Sequence, residues 1–112
     1  MRARRRSYRK GVRFEYRVRD ELTKLGLLVI RAARSRGTKR GLPSYDLVAI
    51  APGPIVWLIE CKAYEGAKLD PRAGETARLY NCEYVLVTPK TLRERLMDIR
   101  HKMIEVWERG EM

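Results

Sequence analysis

Three side chains near the middle of this sequence have the types and spacing to bind a divalent cation. Asp46 is followed, after thirteen residues, by the run Glu60-Cys61-Lys62. Residues two apart on a strand share a face, so Glu60 and Lys62 should point one way and Cys61 the other, into the core. A hairpin between Asp46 and Glu60 would return the second carboxylate beside the first. Two adjacent carboxylates favour a bound cation, and Mg²⁺ prefers one or two carboxylates together with water and phosphate.

The chemistry expected of such a site is hydrolysis of a phosphodiester. The metal would polarise the phosphate and activate a water molecule, while Lys62 would orient that water or offset developing negative charge. The alternative is that Asp46 caps a turn and that Glu60 and Lys62 form a surface ion pair. The spacing alone is a loose pattern. Its position across two predicted strands of a basic domain favours the metal site.

Glu15 is a further acidic candidate. It lies beside Phe14 on the edge of the apolar stripe of a predicted helix, and an acid that faces a sheet needs a metal ion or a cation as a partner. A surface pair with Arg19, four residues later, is the other interpretation. The residues by themselves leave both open.

The elements that must position these side chains follow from periodicity. The spacing of apolar residues predicts helices over 8–25, 75–80 and from Thr91 to the end, and strands over 27–30, 46–50, 55–60 and 84–88. Gly26 should close the first helix, and 33–44 should form an exposed basic loop. The order α-β-β-β-α-β-α predicts an α/β fold with a mixed central sheet flanked by helices.

The net charge of the chain indicates what kind of molecule it binds. The chain has 112 residues, enough for a single domain, and 25 Lys and Arg against 14 Asp and Glu give it a net charge of +11. Such a balance favours nucleic acid first and a membrane surface second. Residues 1–7 are predicted to form a flexible basic arm. No apolar run is long enough to span a bilayer, no secretory signal is present, and the two cysteines form no disulfide framework. We therefore expect a cytoplasmic protein without membrane contact.

Read as a unit, the first half of the chain resembles the archaeal Holliday junction resolvases of the PD-(D/E)xK nuclease superfamily, which have a restriction-endonuclease-like fold. The resemblance covers roughly residues 9–64 and rests on Arg9-Lys-Gly11, Glu15, Gly26, Val29-Ile-Arg31, Ser35, Asp46-Leu-Val-Ala49 and Ile59-Glu-Cys-Lys62. Tyr45 stands where the motif's name has proline, which is not a ligand.

The resemblance implies a role for each matching residue. Glu15, Asp46 and Glu60 would bind the metal, Mg²⁺ with Mn²⁺ as a substitute, and Lys62 would complete the catalytic set with Ser35. Contacts with DNA fall on Arg9, Lys10 and Arg31, and the basic loop adds Arg36, Lys39 and Arg40. It further implies a homodimer that cuts two opposed strands of a four-way junction. The alternatives are another nuclease of the same superfamily, acting in repair, restriction or at forks and flaps, and a DNA-binding module without catalysis.

Two features of the last helix complete the prediction. His101, the single histidine, is expected on the surface with no part in the mechanism. A second apolar strip on that helix could belong to the core or form the dimer interface; it consists of Met97, Ile104 and Trp107.

Overall fold

The computed structural model of this chain describes residues 2–32, 43–64, 66 and 70–110, without the side chains of residues 2–7. The first helix, α1, spans Arg2–Lys24. Its residues Phe14, Val18 and Leu22 are buried, as their spacing predicts. Gly26 ends the helix with a φ of +97°, a backbone conformation that glycine adopts without strain.

Within the described ranges, four strands form one sheet in the order β1-β2-β3-β4. They are β1 (Leu28–Arg31), β2 (Leu47–Ala51), β3 (Ile55–Cys61) and β4 (Glu83–Val87). The first three pair antiparallel, whereas β3 and β4 pair parallel. The predicted mixed sheet is therefore confirmed.

The β2–β3 hairpin sets the register that the candidate site requires. Its turn contains Gly53 at a φ of +134°, where a side chain would meet Val106 of the last helix at 3.3 Å. In the hairpin Leu47 pairs with Ile59 and Val48 pairs with Leu58. Residues with odd numbers in β2 and β3 therefore share one face of the sheet, and those with even numbers share the other.

Helices cover one of these faces. The remaining helices are α2 (Ala73–Leu79) and α3 (Leu92–Glu108). Apolar residues of α1 and α3 form a single buried cluster with the odd-numbered side chains of β2 and β3, and Cys61 packs against it as predicted. The apolar stripe that the sequence predicts on α3 supplies Leu92, Ile99, Met103 and Val106 to the cluster, and its fifth residue, Leu96, packs against it while partly buried.

The boundaries differ from the predictions in several places. The helix α1 begins at Arg2 rather than near Tyr8, and so includes residues predicted as a flexible arm. Arginine and alanine are strong helix formers, and no proline separates them from the apolar stripe, so the helix continues through Gly11. The helix α2 begins at Ala73, the strand β2 begins at Leu47, and β4 ends at Val87. No helix in the described ranges has the length and apolar character needed to cross a membrane.

Candidate active site

Asp46 lies immediately before β2 and is fixed by its neighbours on both sides. Its backbone N–H donates to the carbonyl of Ile59 at 2.8 Å, and its own carbonyl accepts from the N–H of Ala32 at 2.9 Å. Its carboxylate oxygen Oδ2 accepts from the N–H of Cys61 at 2.8 Å. The hairpin thus holds the Asp46 carboxylate at the end of β3, beside the backbone of the E-x-K run.

Glu60 is the most deeply buried acid among the described residues, with 6% of its surface exposed. Extending the register beyond the Leu47–Ile59 pair by one residue brings Glu60 opposite Asp46. Its Oε1 accepts a hydrogen bond of 3.1 Å from the hydroxyl of Tyr84 on β4. Burial raises the pKa of Glu60, the Tyr84 hydrogen bond and Lys62 lower it, and the Asp46 charge adds to the rise.

Glu15 faces the sheet and does not pair with Arg19. Its Oε2 lies 3.4 Å from Nη2 of Arg31, at the end of β1, whereas Arg19 pairs with Asp20 at 3.0 Å. Burial raises the pKa of Glu15, and the charge of Asp46 raises it further against the opposing effect of Arg31. Glu15 therefore faces the sheet, as the first of the two interpretations requires, and its partner in the structure is the Arg31 guanidinium.

Lys62 follows the last residue of β3, and its N–H donates to the carbonyl of Val87 at 2.9 Å. Its positive charge lowers the pKa of both Glu15 and Glu60. No ion pair joins Glu60 to Lys62 in the part of the chain that the structure describes. The Lys62 ammonium therefore lies close enough to affect both acids without forming an ion pair with Glu60. This differs from the alternative in which Glu60 and Lys62 form a surface ion pair.

Comparison with known families agrees with this arrangement. The family model described as "Archaeal holliday junction resolvase (hjc)" matches residues 6–83, which include all four of these side chains. The chain belongs to this family. The match shows a Holliday-junction-resolvase-like nuclease that acts on DNA, and the family implies that it binds DNA junctions.

A solved structure extends the likeness to the fold. It is described as a "VRR_NUC domain", is 25% identical in sequence, and superposes with a TM-score of 0.60 over 80% of this chain and 95% of that one. The resolvase chain therefore has an α/β nuclease fold in which helices flank a mixed sheet. A comparison with curated proteins finds no match.

The donor set of this resolvase suits Mg²⁺, although the ligands are not assembled as a ready group of three. No three His, Cys, Asp or Glu side chains within the described ranges are arranged as a metal site. Glu15 pairs with Arg31, and besides burial the Asp46 charge raises the pKa of both Glu15 and Glu60, so Asp46 lies within electrostatic reach of both. Two carboxylates completed by water and phosphate are the usual protein share of a Mg²⁺ site. Burial is the main cause of the raised pKa of Glu60 and the nearby Asp46 charge adds to it; a divalent cation would offset that charge.

The predicted DNA contacts fall into two groups. Arg9 and Lys10 are exposed on α1, and the Lys10 ammonium lies 4.2 Å from the centre of the Tyr64 ring, two residues beyond Lys62. This contact brings Lys10 near the end of β3 that carries Lys62. Arg31 lies at the end of β1, whereas Arg36, Lys39 and Arg40, together with the predicted catalytic Ser35, lie outside the described part of the chain.

Sequence reasoning missed two tyrosines. Tyr84 contacts Glu60, and Tyr45 packs edge-to-face on Tyr84 with ring centres 6.1 Å apart. The Tyr45 hydroxyl donates to the carbonyl of Ala73 at 2.7 Å, which connects the pair to α2. The alternation of β4 could have indicated the face of Tyr84. Nothing in the sequence revealed that β4 pairs parallel with β3 beside Glu60.

Proposed function

We propose that this protein is a crossover junction endodeoxyribonuclease that hydrolyses phosphodiester bonds in two opposed strands of a four-way DNA junction with Mg²⁺. The observation that carries the proposal is the convergence of Asp46, Glu60, Glu15 and Lys62 at the end of one hairpin, in a chain of the resolvase family. Mn²⁺ should substitute for Mg²⁺, since it accepts similar oxygen ligands.

Each acidic and basic group has a distinct task. Asp46 and Glu60 would hold the cation, which when bound polarises the scissile phosphate and favours deprotonation of the attacking water. Lys62 would offset the negative charge that develops on the phosphate, or orient the water. Because Asp46 is held by hydrogen bonds of its backbone and side chain, little ordering of this carboxylate remains to be done when substrate binds.

Arg31 connects DNA binding to the acidic residues. One of its terminal nitrogens pairs with Glu15, its guanidinium lies 4.9 Å from the centre of the Tyr16 ring, and its buried Nε has no hydrogen-bond partner among the described residues. The Arg31 side chain is 21% exposed, and the planar fork of donors in a guanidinium is suited to phosphate oxygens. If a DNA phosphate takes Arg31, Glu15 loses its partner and becomes available to the cation as a third ligand.

The proposal includes a homodimer, because two opposed cuts require two active sites. The even-numbered face of the sheet offers apolar surface for it, with Leu28 and Ile30 of the edge strand 64% and 51% exposed. On α3, Met97 and Trp107 are also exposed, so the strip of that helix is not entirely core. Native mass spectrometry should give twice the chain mass, and a monomer at working concentrations would count against paired cleavage.

The proposal is tested by substrate choice. Purified protein is incubated with a labelled four-way junction, a duplex of the same sequence, and a flap or fork, with and without Mg²⁺. We expect cleavage of the junction alone, and only with metal. Cleavage of duplex or flaps would support a different nuclease of the superfamily. Junction binding without cleavage in either Mg²⁺ or Mn²⁺ would leave only a DNA-binding module.

A further inference from the structure

Glu60 receives support from outside the D…E-x-K motif. The hydrogen bond to its Oε1 comes from Tyr84, one residue beyond the part of the chain that the family model matches. Tyr84 pairs with Leu58 in the parallel register, so its side chain lies on the same face as that of Glu60. No other side chain in the described ranges donates a hydrogen bond to this carboxylate.

The ring of Tyr84 is itself held in place. Tyr45 packs against it edge-to-face, and the Tyr45 hydroxyl is anchored on the Ala73 carbonyl of α2. At Gly74, the position that a Cβ would occupy lies 3.8 Å from Cδ2 of the Tyr84 ring, so the helix backbone closes against the ring. A hydroxyl carried by a ring with packed neighbours holds its acceptor in one orientation at little additional entropic cost.

We propose that Tyr84 is a positioning residue that fixes the Glu60 carboxylate through Oε1 and thereby presents Oε2 to the divalent cation. The inference rests on the proposed function, because it concerns the same cation. Without the Tyr84 hydroxyl, the nearly buried Glu60 carboxylate could rotate about its last side-chain bond, and its Oε1 would lose its hydrogen bond. Partners of this kind around a metal ligand contribute about 10- to 100-fold in metal affinity.

Tyr45 provides the matched control. Tyr45→Phe removes one hydroxyl from the neighbouring ring and keeps the ring packing, but the lost hydrogen bond goes to the backbone of α2 and not to Glu60. Tyr84→Phe removes one hydroxyl that goes to Glu60. Any general effect of losing a phenol beside the site should appear in both variants.

The test measures Mn²⁺ binding to the DNA-free protein by electron paramagnetic resonance, together with the Mg²⁺ dependence of junction cleavage. Tyr84→Phe should weaken Mn²⁺ binding by about 10- to 100-fold and raise the Mg²⁺ concentration for half-maximal cleavage, with much of the rate regained at high Mg²⁺. Tyr45→Phe should leave Mn²⁺ affinity within about twofold of wild type. Equal Mn²⁺ affinity of Tyr84→Phe and wild type would overturn the proposal.

A second comparison identifies Glu60 as the intermediary. In a Glu60→Gln background, Tyr84→Phe should cause no further loss of Mn²⁺ affinity, because the carboxylate that it positions is gone. An undiminished loss in that background would show that Tyr84 acts by another route and overturn the proposal. Failure of the proposed function looks different, since wild type itself would then cut duplex or flaps instead of the junction, or would neither bind Mn²⁺ nor cut any DNA.

Discussion

The two faces of the sheet in this protein differ in what their side chains contact. On the odd-numbered face, Leu47 and Ile59 are fully buried and belong to the apolar cluster that includes residues of α1 and α3. On the even-numbered face lie Glu60 and the ring of Tyr84, while Leu58 is partly exposed. Adjacent residues of the same strand therefore belong either to the core or to the proposed active site. The difference teaches that alternation alone separates the two faces, since one step along β3 exchanges a core side chain for one of the proposed metal site.

The first prediction concerns a variant that should lose cleavage while it keeps the fold and the affinity for the junction. Glu60→Gln should lower junction cleavage by at least about 100-fold, because the neutral amide is a poor ligand for the cation. Junction affinity should change little, since phosphate contacts by Lys and Arg supply most of it. Single-turnover cleavage and a gel-shift titration measure the two quantities. A parallel loss of affinity would mean that Glu60 supports the DNA-binding surface rather than the reaction.

The second prediction sharpens the contrast between faces with a matched pair of truncations. Leu47→Ala should lower the free energy of unfolding by about 2–5 kcal/mol, because its site is fully enclosed. Leu58→Ala, on the partly exposed face, should cost less than half as much in the monomeric unfolding reaction. Urea denaturation of both variants gives the comparison. Equal losses would show that the even-numbered face is as fully packed as the other.

The third prediction concerns the ion pair between Arg31 and Glu15. Arg31→Gln should tighten Mn²⁺ binding to the DNA-free protein several-fold, by about 1 kcal/mol, because Glu15 loses the cation that holds it. The same variant should bind the junction less tightly. In a Glu15→Gln background the gain in Mn²⁺ affinity should disappear, which separates release of Glu15 from a general loss of positive charge. A gain that persists there would contradict the linkage.

The fourth and smallest prediction is a gain in stability. The pKa of Glu60 is raised in the folded state, so the folded protein holds this proton more tightly than the unfolded chain does. The stabilisation due to that proton is present at low pH and is lost as the pH rises through the raised value. At neutral pH and without metal, ionised Glu60 therefore destabilises the fold, and Glu60→Gln should raise Tm by about 1–5 °C. The gain should shrink as pH falls towards 4; a constant difference across pH would argue against this cause.

The elements were predictable from sequence and the contacts between them were less so. Periodicity places the stripes Phe14–Val18–Leu22 and Leu92–Met103, and the hairpin follows from its Pro-Gly-Pro turn. The D…E-x-K spacing then brings Asp46 to Glu60 correctly. The parallel pairing of β4 with β3 joins segments separated by α2, and no local pattern encodes it. For that reason Tyr84 escaped notice, and the Arg31 partner of Glu15 did too.

The central claim is that this site cuts a junction in two opposed strands. Its most direct test maps the nicks in a four-way junction labelled on each strand in turn, with wild type and Asp46→Asn in Mg²⁺. The account predicts nicks at symmetric positions in two opposed strands, lost in Asp46→Asn while junction binding remains. Nicks in a single strand, scattered nicks, or cleavage that survives in Asp46→Asn would contradict it.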